Sequence, residues 1–106
     1  MAYQRKQDKE DEDTPEYMLR LFITGSTPNS IRAVSNIRQI CETYLKGRYS
    51  LEIIDVYQEP VLAQQEQIVA LPLLIKKRPL PQRKLIGDLS EVEKILKILD
   101  VNKDNG

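Results

Sequence analysis

The chain has 106 residues, 41% of them hydrophobic and 30% charged, with 16 basic and 16 acidic side chains that cancel. That length holds one small domain, and the balanced charge gives no reason to expect nucleic acid or an anionic membrane as the main partner. The absence of histidine excludes His-based catalysis and His-ligated metals, and the single cysteine, Cys41, excludes an intramolecular disulfide, a CxxC redox pair and a Cys-rich zinc site.

Residues 1–16 carry no periodic apolar pattern, and Asp8 to Glu16 holds six acids. Such a segment buries too little surface to offset its ordering entropy, so a disordered, solubilising tail is expected over 1–16 and a second short one over 101–106, around a domain at 17–100. No signal-peptide h-region precedes the domain and no apolar run nears the ~20 residues of a membrane span. A cytoplasmic location without membrane contact is expected.

Tyr17–Thr24 alternates two largely apolar sets, which predicts a strand covered on both faces. Gly25-Ser26-Thr27-Pro28 interrupts it. Thr27 is a candidate cap and Pro28 a first helical residue for a helix from Pro28 to Leu45, with Ile31, Val34, Arg38, Cys41 and Leu45, and Ile37 and Tyr44 beside them, at helical spacing. Tyr49–Val56 reads as a second, doubly covered strand, so that strand, helix and strand form a right-handed βαβ unit. A short helix is expected over Pro60–Val69, a third strand at Leu73-Leu74-Ile75, and an antiparallel fourth at Arg83–Ile86, stopped by Gly87-Asp88. Ser90 and Glu93 have the spacing of a capping box for a last helix whose inward stripe is Val92, Ile95, Leu96 and Leu99.

The order β-α-β-α-β-β-α predicts an α/β fold: a four-stranded mixed sheet with helices on both faces, in thioredoxin-like topology. Pro72, directly before the third strand, is the candidate for that fold's cis-proline. An enzyme of this fold needs a thiol in the loop after the first strand, where the helix dipole lowers its pKa. The loop here, Gly25 to Ser30, has none. Cys41 lies on the inward stripe of the helix, the place of a buried small hydrophobe. Ser26 or Ser30 could bind a thiol as in some glutathione transferases, but no base accompanies them. A thioredoxin-fold thiol or glutathione enzyme is the alternative that this loop argues against.

Lys76, Lys77, Arg78, Arg83 and Lys84 form a basic cluster across the third strand, its connector and the fourth strand. No stacking aromatics accompany it, so an acidic protein surface fits better than nucleic acid. No catalytic, cofactor or metal site is expected.

Four segments, in order and at matching spacing, carry a resemblance. Gly25-Ser26-Thr27-Pro28-Asn29-Ser30-Ile31-Arg32-Ala33 resembles G-N-T-P-N-S-V-R-A. Ile53-Ile54-Asp55-Val56 with Glu59-Pro60-Val61-Leu62-Ala63 resembles V-I-D-V and N-P-x-L-A. Ala70 to Leu74 resembles A-T-P-T-L, and Ile86 to Ser90 matches I-G-D-L-S. The chain thereby resembles the KaiB family of circadian clock proteins over residues 17–100.

The resemblance implies a non-enzymatic regulator that binds the N-terminal ring of the RecA-like ATPase hexamer KaiC. It also implies capture of KaiA, displacement of a histidine kinase's output partner, and a second fold, with a rearranged C-terminal half, that self-associates as dimer or tetramer. By match to family positions, Arg32, Lys76, Arg83 and Lys84 are the expected KaiC-binding residues. Pro72, Gly87, Asp88 and Ile98 lie in the segments expected to switch. Ser50 and Glu52 sit where the family's KaiA-contacting edge has a small apolar residue and a lysine, so KaiA binding is not carried over. Gln67 replaces another family lysine and Ile98 a family glycine, and the acidic tail stands at the N-terminus. These departures leave open a divergent paralogue.

Overall fold

The computed structural model describes residues 15–68 and 70–101. Strand β1 (Tyr17–Ile23), helix α1 (Pro28–Tyr44) and strand β2 (Tyr49–Asp55) form the first half. Helix α2 (Pro60–Gln65), strands β3 (Leu73–Arg78) and β4 (Arg83–Ile86), and helix α3 (Val92–Leu99) form the second. The sheet order is β2-β1-β3-β4. β1 and β2 are parallel, while β3 is antiparallel to both its neighbours. This is the expected mixed sheet.

Alternation along β1 builds two cores. Tyr17, Leu19 and Leu21 join Leu74 of β3 beneath Ala33, Ile37, Ile40, Cys41 and Leu45 of the α1 segment and Ile95, Leu96 and Leu99 of α3. On the opposite face Phe22, Ile54, Leu73 and Ile75 pack with Val56, Leu62, Ile68 and Leu71. Helices therefore cover both faces at the centre of the sheet, where Leu21 and Phe22 of β1 and Leu73 to Ile75 of β3 are all buried. The edge strand β2 is not doubly covered as expected: Ile54 is buried, but Ser50 and Glu52 are exposed. Ile98 packs half-buried against the larger core.

Local chemistry sets the helix ends. Thr27 caps α1, accepting from the Ser30 N–H with Pro28 in the first turn, as its sequence predicts. α2 ends at Gln65 rather than at Val69, because Gln67 takes φ 54 and turns the chain back toward β3; Val69 lies outside the described residues. The Ser90–Glu93 capping box does not form as expected. The N-cap is Glu91, without a side-chain cap bond, and the Ser90 N–H donates instead to Asp88 Oδ1 at 3.1 Å. β3 continues three residues beyond Ile75, because Lys76 and Arg78 remain in register with β1. The Leu71–Pro72 bond is cis, as are Arg78–Pro79 and Leu80–Pro81.

The tails expected to be disordered fall mostly outside the described residues. Three of their members, Pro15, Glu16 and Val101, do not. Glu16 receives hydrogen bonds from Arg48 Nε and Nη2, both at 3.1 Å, and Val101 packs on the larger core.

Cys41 is completely buried, and desolvation pushes its thiol up to about 12. A Cys41→Ser substitution is expected to cost about 1–2 kcal/mol, from placing a hydroxyl in an apolar site. The native thiol should resist alkylation at pH 8. Because the folded pKa is raised, the thiol's contribution is whole below its unfolded value near 9 and is lost as pH climbs through about 12. Urea titrations at pH 8 and pH 11 check the sign: stability should fall less in Cys41→Ser than in the parent.

Candidate partner-binding surface

The end of the sheet where thioredoxin enzymes carry their thiol is closed by hydroxyls here. Thr27 Oγ1 donates to Ser30 Oγ at 2.8 Å, and Ser30 Oγ accepts from the Thr24 N–H at 3.1 Å. Ser30 is fully buried and consumed by this network. Ser26 is exposed. The described residues offer no cluster able to hold a metal ion, and no helix among them is long and apolar enough to cross a membrane.

The basic cluster does not form one patch. Strand alternation sends Lys76 to the face of Leu74, under α3, where its side chain is 0% exposed and Nζ lies 3.4 Å from Asp100 Oδ2. Lys76 is in register with Arg83, yet its side chain is an internal cation in this fold and not part of the exposed surface where the sequence placed it. Sequence alternation alone carried the signal, since Leu74 and Lys76 are two apart. Lys77 points to the other face and pairs with Glu66 Oε2 at 2.6 Å.

Arg78, Arg83 and Lys84 remain exposed and make no ion pair among the described residues. Arg83 and Lys84 begin the edge strand β4, where charge also discourages uncontrolled strand pairing.

Arg32 stands beyond the other end of β4. Its Nε is 3.3 Å from Asp88 Oδ2, and its guanidinium also donates to Asn29 Oδ1. Asn36 Nδ2 donates to the Asp88 carbonyl at 2.8 Å. Hydrogen bonds from Ser90, then the charge of Arg32, hold the Asp88 carboxyl below the usual carboxylate range. The loop after β4 is therefore tied to α1 at two points. Gly87 takes φ 126, a conformation glycine supplies, and Leu89 takes φ 64 while its side chain enters the larger core. The β4 strand spans about 10 Å at ~3.3 Å per residue. Arg83 and Lys84 stand at one end of β4 and point to opposite faces of the sheet, Arg83 with Lys76 and Lys84 with Ile75, while Arg32 stands beyond the other end.

The edge strand β2 presents Ser50 and Glu52, both exposed. Glu52 is engaged within the chain: Arg20 Nε donates to its Oε1 at 2.9 Å, and Arg20 Nη1 lies 3.5 Å from Glu66 Oε2. From the sequence, Asp55, Glu59 and Glu66 are spaced carboxylates with no pair forced together and no hydrolase site; what that reading did not foresee is that Glu66, at the end of α2, pairs with Arg20 of β1 and Lys77 of β3.

The sequence profile of the KaiB family, described as a KaiB domain, matches residues 20–101. The chain belongs to the KaiB family. It is 51% identical over 85 residues to the circadian clock oscillator protein KaiB of Picosynechococcus, covering 80% of this chain and 82% of that one. It is 47% identical over 85 residues to the KaiB of Synechococcus elongatus strain PCC 7942, covering 80% and 83%. The named KaiB relatives are clock proteins, not enzymes. Among solved structures, the N-terminal domain of Synechococcus elongatus SasA matches with TM-score 0.66 at 23% identity, over 82% of this chain and 86% of that domain. The Drosophila melanogaster thioredoxin Deadhead matches with TM-score 0.68 at 11% identity, over 92% and 91%. At such identities these two show the fold alone, which is thioredoxin-like.

Proposed function

We propose that this chain is a non-enzymatic clock regulator that binds a KaiC-like RecA-type ATPase hexamer, through the strip along β4 with Arg83 and Lys84 at one end and Arg32 at the other. The observation that carries the reading is the pair Arg83 and Lys84: both match basic family positions, both are exposed, and neither is neutralised among the described residues. Exposed, unpaired cations steer association with an acidic surface and speed encounter. Lys76 has no part in the contact, because its ammonium is spent on Asp100. The thioredoxin-like arrangement is the binding form in this reading, and the rearranged C-terminal half of the family's second fold is the resting competitor. KaiA and kinase contact are left out of the proposal, since Glu52 departs from the family residue and is held by Arg20.

Surface plasmon resonance against an immobilised KaiC-type hexamer in ATP tests the reading. The double reversal Arg83→Glu with Lys84→Glu is expected to weaken binding about tenfold or more, mainly through slower association, and added salt should weaken the parent in the same direction. Unchanged affinity in the folded double variant would remove the strip from the interface.

A further inference from the structure

β4 is an outer strand of the sheet, with β3 on one side and no other strand beyond it among the described residues. The Gly87 N–H donates to the Pro72 carbonyl at 3.0 Å, so the backbone of Gly87 faces β3. Along an antiparallel pair that direction recurs at every second residue. Leu85 and Arg83 therefore also bond toward β3, and Lys84 and Ile86 turn their N–H and C=O groups to the open edge. Side chains alternate too, to the two faces of the sheet. Lys84 and Ile86 share the face of Ile75 and Leu73, and Arg83 and Leu85 the face of Lys76 and Leu74.

Leu85 packs on the larger core, but Arg83 and Lys84 are exposed and make no ion pair among the described residues. Ile86 is 52% exposed. The edge thus offers outward-facing backbone groups, two consecutive cations on opposite faces and one bare apolar side chain. An extended strand laid along it carries its own consecutive side chains to opposite faces, so two successive acids would meet Arg83 and Lys84. We infer that the β4 edge takes up an extended, acidic segment of a partner protein as a further strand. Main-chain bonds to Lys84 and Ile86 give the affinity, and the acids, with an apolar residue over Ile86, give the specificity. The charges also select the occupant. A second copy of β4 would add two more cations, and the opposite edge, β2, carries Glu52. That the segment belongs to an ATPase rests on the function proposed above; the strand addition does not.

The test titrates the full chain, at about 20 mM salt, with an end-blocked peptide containing Val-Thr-Glu-Glu, which antiparallel pairing sets against Ile86, Leu85, Lys84 and Arg83 in that order. Exchange of the Lys84 and Ile86 amides with solvent should slow about fivefold or more, while the Arg83 and Leu85 amides, already bonded to β3, change little. N-methylation of the Val and the first Glu keeps both charges and removes the two N–H donors that face the edge. It should weaken binding about fivefold or more. A Val-Thr-Lys-Lys peptide should not bind. No binding of the acidic peptide, or equal binding of its N-methylated form, overturns the strand addition, as does protection that ignores the alternation or falls on β2. Because no ATPase is present, failure here leaves the charge contact of the proposed function standing.

Discussion

Replacing Lys76 by glutamate should remove about 3–5 kcal/mol of folding stability, the range for breaking a buried ion pair and leaving a charge uncompensated. The Lys76 side chain is wholly covered, and the new carboxylate would face Asp100 with the same sign. A domain of this length has roughly 5–15 kcal/mol in total, so the variant would sit near unfolding at room temperature. Lys76→Met is the contrast. It keeps the aliphatic stem, leaves Asp100 in solvent, and should stay within about 1.5 kcal/mol of the parent, since a hydrophobic replacement for a buried ion is often nearly neutral. Urea unfolding followed by circular dichroism checks both. A Lys76→Glu midpoint close to the parent's would show that the lysine is not held as described.

The second large effect is expected at Ile98. Gly in a helix interior costs about 1 kcal/mol relative to Ala, and losing a half-buried isoleucine adds about 1 kcal/mol or more. Ile98→Gly should therefore weaken this arrangement by about 2 kcal/mol. Packings of one sequence that interconvert differ by only a few kcal/mol, so a loss of that size is enough to populate a competitor. The readout is a second set of amide resonances over residues 60–100, in slow exchange with the first. A single set at the parent's positions, with only a lower melting temperature, would mean that Ile98 stabilises the fold without selecting it.

Both residues also show where the sequence could be read and where it could not. The βαβ half was legible because its periods are long and clean: alternation through Tyr17–Ile23, a 17-residue helix with an apolar stripe, and turn residues between. The second half is made of short pieces whose ends are decided by partners distant in sequence. Lys76 to Arg78 fell beyond the expected third strand, yet pairing with β1 makes them strand. Ser90 looked like a cap, yet Asp88 takes its N–H first. α2 was drawn too long because nothing local announces that Gln67 will adopt a positive φ. Of the expected binding residues, Arg83 and Lys84 stay exposed, Arg32 is exposed but tied to Asp88, and Lys76 is internal. That last distinction follows from which face the strand register assigns, and a count of basic residues does not contain it.

The sheet order β2-β1-β3-β4 also has a meaning in time. β1, α1 and β2 are complete within residues 17–55, so a growing chain can close its parallel pair before any of β3 exists. β3 ends about twenty residues after that unit does. At roughly 5–20 residues per second, synthesis leaves the inner edge of β1 open for about 1–4 s. During that interval the most apolar strand of the protein lacks its second neighbour, and whichever segment reaches it first sets the register of everything downstream.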